Sequence, residues 1–68
     1  MKIRLRLREV AKQKGFSMGR LSRESNVSYN TVKRIYDDPY YSITTHTLAK
    51  FAKALSVPSA ELLEDEHS

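Results

Sequence analysis

FSMGRLSRESNVSYNTVKRIY, residues 16–36, decides how the rest of this 68-residue chain is read. The segment divides into two short helices and a tight turn. Ser17 is a hydroxyl residue placed to cap a first helix, about Met18 to Ser25. Leu21, Ser22 and Ser25 share one face of it at helical spacing. Asn26 tolerates positive φ better than other side-chain-bearing residues, so it can turn the chain. Val27 tucks inward. Ser28 caps a second helix, Tyr29 to Tyr36, in which Val32, Ile35 and Tyr36 point inward and Tyr29, Asn30, Lys33 and Arg34 point out. That outer face carries an amide, two cations and a phenol, and no carboxylate. Such a face suits the major groove of DNA.

The chain around this segment is one small domain. At this length only about 60% of the unfolded surface is buried, so the fold has little margin and gains from a partner chain. There is no cysteine, hence no disulfide framework and no thiolate metal site, which fits a reducing interior. No apolar run approaches ~18 residues and no signal-peptide pattern is present. The expectation is a soluble, cytoplasmic protein with no membrane segment. The net charge is +4 and unevenly spread. Residues 1–34 hold ten Lys or Arg against Glu9 and Glu24, a balance of +8; residues 35–68 hold Lys50 and Lys53 against six carboxylates, a balance of −4. The basic half contains the candidate reading helix, and a polyanion is its natural partner.

Upstream, residues 2–8 alternate basic and apolar, which alone is strand period two. Taken together with residues 9–14, however, Ile3, Leu7, Val10, Ala11 and Lys14 lie on one helical stripe, leaving only Leu5 off it. The helix reading, about Ile3 to Lys14 and ended by Gly15, accounts for more residues. A short strand over 2–7 stays open as the alternative. Downstream, Asp37, Asp38 and Pro39 stop the reading helix. Thr44 caps a fourth helix, about Thr45 to Leu55, with a stripe of Leu48, Phe51, Ala52 and Leu55. Pro58 precedes a short fifth helix, Ser59 to about Glu64. The expected fold is all-α with five helices: a domain over residues 1–64 and an acidic, frayed tail over 65–68. The expected core is Ile3, Leu7, Val10, Phe16, Leu21, Val27, Val32, Ile35, Leu48, Phe51, Leu55, Val57 and Leu62. It leaves no room for a buried cofactor.

The chain resembles the Cro and lambda-repressor (XRE) type of helix-turn-helix domain. Ile3-Arg4-x-x-Leu7 and Lys14-Gly15-Phe16-Ser17 match the usual first helix and its exit. Asn26-Val27-Ser28-x-x-Thr31-Val32-x-Arg34-Ile35 matches the turn and third helix, and Thr47-Leu48-x-x-Phe51-Ala52-Lys53-Ala54-Leu55-x-Val57 the fourth helix and its exit. The resemblance implies a five-helix lambda-repressor-like fold that reads DNA with its second and third helices. It also implies two-fold dimers on inverted half-sites. Four residues depart from the family pattern: Met18 for a Gln that touches phosphate, Ser22 for Ala, Asn26 for Gly and Asp38 for Gly.

Specific reading needs groups that match base edges. Asn30 can take N6 and N7 of adenine, and Arg34 O6 and N7 of guanine; four residues apart, they share one groove. Tyr29 and Lys33 flank them, and Thr31 can meet a thymine methyl or a phosphate. A solvated helix face is the ordinary fate of such side chains, and it is the motif around them that favours base contact. Phosphate contacts are expected at helix N-termini, where free N–H groups and the macrodipole attract anions. Ser17, Met18, Arg20, Ser28, Thr44, Thr45 and His46 stand there. No first turn of the second, third or fourth helix holds a carboxylate. His46 and His67 lie far apart without cysteine, so no metal is expected, and no cofactor. No nucleophile, base and orienting acid stand in a recognisable arrangement, so no enzymatic activity is expected.

The expected function is sequence-specific binding of double-stranded DNA by a transcriptional regulator, a repressor, as a homodimer. Leu62, Leu63, Tyr41 and Leu5 are the candidate dimer anchors. The alternative is an antitoxin-like module that holds a protein partner and binds its own operator.

Overall fold

A computed structural model describes residues 2–66. Its elements run β1 (Lys2–Leu5), α1 (Leu7–Gln13), α2 (Met18–Ser25), α3 (Tyr29–Asp37), α4 (Thr45–Leu55), a 3-10 turn (Ser59–Leu62) and β2 (Leu63–Glu66). The chain is thus mostly helical with four α-helices, not five, among the described residues. The two strands form an antiparallel pair.

Three helices start as their caps dictate. Ser17 Oγ accepts from Arg20 N at 3.1 Å, Ser28 Oγ from Thr31 N at 3.2 Å, and Thr44 Oγ1 from Thr47 N at 3.1 Å. Each satisfies a backbone donor that the helix leaves orphaned. Asn26 makes the α2–α3 turn at φ 59°, and Gly15 leaves α1 at φ 76°. Ser22, where the family has Ala, is small enough for the helix approach, and its hydroxyl donates to Val27 O at 2.6 Å, locking the turn.

The N-terminal segment corrects the helical expectation. Lys2–Leu5 is a strand, and the first helix begins only at Leu7 after Arg6, which offers no side-chain cap. The strand pairs Lys2 with Glu66, Ile3 with Asp65, Arg4 with Glu64 and Leu5 with Leu63. Opposite charges therefore face each other across the ladder, a favourable arrangement for a cross-strand pair. Arg4 ion-pairs with Glu64 at 3.4 Å and with Glu9 of α1. Arg6 N donates to Leu62 O at 2.8 Å, and Leu5 N to Pro39 O at 2.7 Å. Both edges of β1 are thereby held. As a consequence Leu5, off the helical stripe, is buried at 6% exposure, whereas Ile3 is 53% exposed. Their expected roles are exchanged.

The expected fifth helix is a single 3-10 turn. It buries Leu62 and then releases the chain into β2. The domain boundary expected after residue 64 falls inside β2, and Asp65 and Glu66 are strand residues. His67 and Ser68, the end of the expected tail, lie outside the described residues.

The core gathers Leu5, Leu7, Val10, Ala11, Leu21, Val32, Ile35, Phe51, Ala52, Leu55 and Leu62, with Phe16, Val27, Leu48 and Val57 packed around it. α2 packs against both α3 and α4, so the second helix fixes the third from behind. Ser25 is the buried polar residue of this layer, and its hydroxyl donates to Leu21 O at 2.6 Å. No buried side-chain polar atom among the described residues lacks a partner. Among them no helix is long and apolar enough to cross a membrane.

Candidate nucleic-acid interface

The face of α3 opposite the core is built by period alone. Val32 and Ile35 are fully buried, and this turns Tyr29, Asn30, Lys33 and Arg34 outward, all exposed. Tyr29 keeps 47% of its surface. Neither Lys33 nor Arg34 forms an ion pair among the described residues. Their charge is free for an anionic partner.

Thr31 is half-buried, and its hydroxyl is bonded to Ser28 Oγ at 2.9 Å. Its polar end thus serves the cap of α3. Three of the other hydroxyls expected to meet phosphate are also caps: Ser17, Ser28 and Thr44 each hold a backbone N–H of their own helix. Thr44 Oγ1 donates in addition to Thr47 Oγ1 at 3.1 Å. Thr45 and His46 are exposed on the first turn of α4. Met18 is half-buried and packs against the core.

Arg20 differs most from its sequence reading. Its guanidinium lies 4.0 Å from the centroid of the Phe16 ring, a cation–π contact. Its Nε donates to Glu24, an ion pair at i, i+4 along α2. Both side chains are half-exposed, so a phosphate would compete with Glu24 for this cation. The Glu24 partner was visible in the sequence as a helical i, i+4 pair.

Electrostatics favour anions at three places. The first turns of α2, α3 and α4 contain no acidic residue, whereas α1 carries Glu9 and the 3-10 turn Glu61. Half-burial raises the Tyr36 phenol above its ordinary value, with nearby Arg8 working against the shift. Partial burial acts to raise the Glu9 carboxyl, but the Arg4 hydrogen bond, a backbone bond and the charges of Arg4 and Arg6 together hold it below the ordinary range.

Two residues reach this face that the sequence did not assign to it. Asp37 and Tyr41 line one shallow depression with Asn30, Thr31, Lys33 and Arg34. Tyr41 comes from the segment between α3 and α4, whose path back over α3 obeys no periodicity.

Residues 6–68 match the family model of the Cro/C1-type helix-turn-helix DNA-binding domain. No curated protein matches the sequence. Among solved structures, the fold is similar to the solution structure of the N-terminal DNA-binding domain of the master biofilm-regulator SinR from Bacillus subtilis. That likeness has a TM-score of 0.75 at 24% identity, over 93% of this chain and 91% of that one. At this identity it speaks for the fold alone. The family match spans nearly the whole chain and includes both halves of the α2–turn–α3 unit, so the protein belongs to the Cro/C1-type helix-turn-helix DNA-binding domain family.

Proposed function

We propose that this domain is a sequence-specific, double-stranded-DNA-binding transcriptional regulator, a repressor acting in the cytoplasm, with α3 seated in the major groove. The observation that carries the reading is the outer face of α3: Tyr29, Asn30, Lys33 and Arg34 are exposed together and free of ion pairs among the described residues. Asn30 then reads adenine and Arg34 guanine, Tyr29 and Lys33 flank them, and Thr31 offers its methyl group. Phosphates on either side meet the N-termini of α2, α3 and α4 through Ser17, Ser28, Thr44, Thr45 and His46. Met18 takes part through its backbone N–H. Arg20 joins by exchanging Glu24 for a phosphate.

Selection of bound duplexes from a randomised pool tests this reading. An enriched sequence at moderate salt is expected, and Asn30→Ala or Arg34→Ala should each relax the preference at one base pair of it. Recovery of no preferred sequence would count against it.

The reading extends to a homodimer on inverted half-sites about one helical turn apart. Leu63 and Tyr41, both partly exposed, support an anchoring role; Leu5 and Leu62 are buried and cannot anchor a partner. A selected site with two-fold symmetry, together with a doubled mass on DNA by sedimentation, is the expected result. The exposed Ile3 and Tyr40, beside an apolar groove lined also by Ile43, Leu48 and Leu63, favour a second reading, in which the domain holds a protein partner as well. A partner that co-purifies with the chain and is lost with Ile3→Asp would support it.

A further inference from the structure

We propose that Tyr41 is a positioning residue for Arg34: its phenol sets the guanidinium on the face of α3, so the base read by Arg34 depends on a residue outside the helix-turn-helix. The inference rests on the proposed DNA-reading role of α3.

Arg34 Nη1 donates to Tyr41 Oη at 3.3 Å, and the guanidinium carbon lies 5.3 Å from the centroid of the Tyr41 ring. An arginine alone on an exposed helix face spreads over many rotamers, and ordering it on binding costs affinity. A partner that narrows those rotamers beforehand removes part of the cost. Tyr41 is suited to this because it is itself held. Its ring is half-buried against the core. Its N–H donates to Asp38 O at 3.0 Å, the Asp38 carboxylate accepts from Tyr40 N at 3.1 Å, and Pro39 O is bound by β1. The segment that carries the phenol is therefore braced from both sides.

The donor count is also compatible with reading. Guanidinium has five N–H donors in a planar fork, and the phenol uses one. A bidentate pair stays available for O6 and N7 of guanine. The partner is neutral, so the full positive charge of Arg34 is kept. A carboxylate, Asp37, lines the same depression but forms no ion pair with Arg34 among the described residues. Phenol and carboxylate differ in this respect: a bond to the phenol can persist on DNA, whereas an ion pair would have to be broken first.

The test takes the duplex selected by the wild-type protein and a set changed at single base pairs. Arg34→Ala marks the base pair that Arg34 reads. Tyr41→Phe, which keeps the packed ring, is expected to lower discrimination at that base pair alone by roughly two- to tenfold, the worth of one modest hydrogen bond. Other positions and the salt dependence should stay as in the wild type, and Tyr41→Phe should add nothing in an Arg34→Ala background. Tyr41→Phe with no effect, with equal weakening of every duplex, or with an effect that adds in full to that of Arg34→Ala overturns the proposal. A second readout needs no DNA: ¹⁵N relaxation at Arg34 Nε should report greater mobility in Tyr41→Phe, and unchanged mobility overturns the positioning. If Arg34→Ala marks no base pair, the reading of α3 fails, and the relaxation experiment still decides the role of Tyr41.

Discussion

Two arginines on adjacent helices stand in opposite circumstances, and their substitutions should separate base reading from general attraction. Arg34 holds a neutral phenol and no carboxylate. Arg34→Ala is expected to cost about 1–3 kcal/mol on the selected duplex and to relax preference at one base pair. Binding to random duplexes should fall less, by the loss of one cation; an equal loss on selected and random DNA would contradict base readout. Arg20 is paired with Glu24 and stacked on Phe16. Glu24→Gln is therefore expected to strengthen binding to all duplexes alike, several-fold, and to steepen the fall of affinity with salt, because one more cation becomes free for phosphate. Fluorescence anisotropy titrations at two salt concentrations measure both effects, and weaker binding by this variant would exclude Arg20 from the phosphate contacts. The stability lost with this exposed pair is small, a few tenths of a kcal/mol. The face of α3 was legible in the sequence because helical period alone divides Val32 and Ile35 from Asn30 and Arg34. The engagement of Thr31 in a cap, of Met18 in the core and of Tyr41 with Arg34 was not. Each depends on where a neighbouring side chain settles, and residue type and spacing do not carry that.

At the scale of elements, local rules succeeded and distant ones did not. The bounds of α2 and α4 were readable because a cap, a stripe and a stop lie within a dozen residues of each other; α3 runs one residue further than expected, to Asp37. The strand β1 was readable only as an alternative. Its partner, Leu63–Glu66, lies at the other end of the chain, and that pairing outweighs the better helical stripe. The same pairing shortens the fifth helix to one turn. A second unread feature is the exit of α4. Ser56 sits at φ 56°, the left-handed region, where a side chain is strained and glycine is the usual helix-ending residue. Ser56→Gly is expected to raise stability by about 0.5 kcal/mol, the relief of strain outweighing the added freedom of the unfolded chain. Urea unfolding should show a higher midpoint at an unchanged slope. A lower midpoint would mean that the serine hydroxyl supplies a bond worth more than the strain.

At the scale of the whole molecule, the charge asymmetry of the sequence is partly cancelled by folding. The acidic end returns beside the basic start: Glu64 pairs with Arg4, and Glu66 accepts from the Tyr40 hydroxyl at 2.6 Å while Lys2 lies over the Tyr40 ring. The cations left free are concentrated on the helices, α3 among them, so the sheet closes the chain ends without adding a competing basic patch. Arg4 also binds Glu9 and so ties α1 to both strands. This tie makes stability depend on acid. The folded Glu9 carboxyl sits below its ordinary value, so the unfolded chain takes up its proton more readily than the folded one. The contribution is complete above the ordinary glutamate range and is lost as pH falls through the lower, folded value. Because the pair is partly exposed and screened by solvent, its worth is small, a shift of at most a few degrees in midpoint for a domain of this size. Thermal melts of the wild type and Glu9→Gln should differ by that amount at pH 7 and converge only once the pH has fallen below the lowered, folded value of Glu9, where both side chains are neutral. A gap that persists in acid would show that the loss in Glu9→Gln comes from packing rather than from the ion pair.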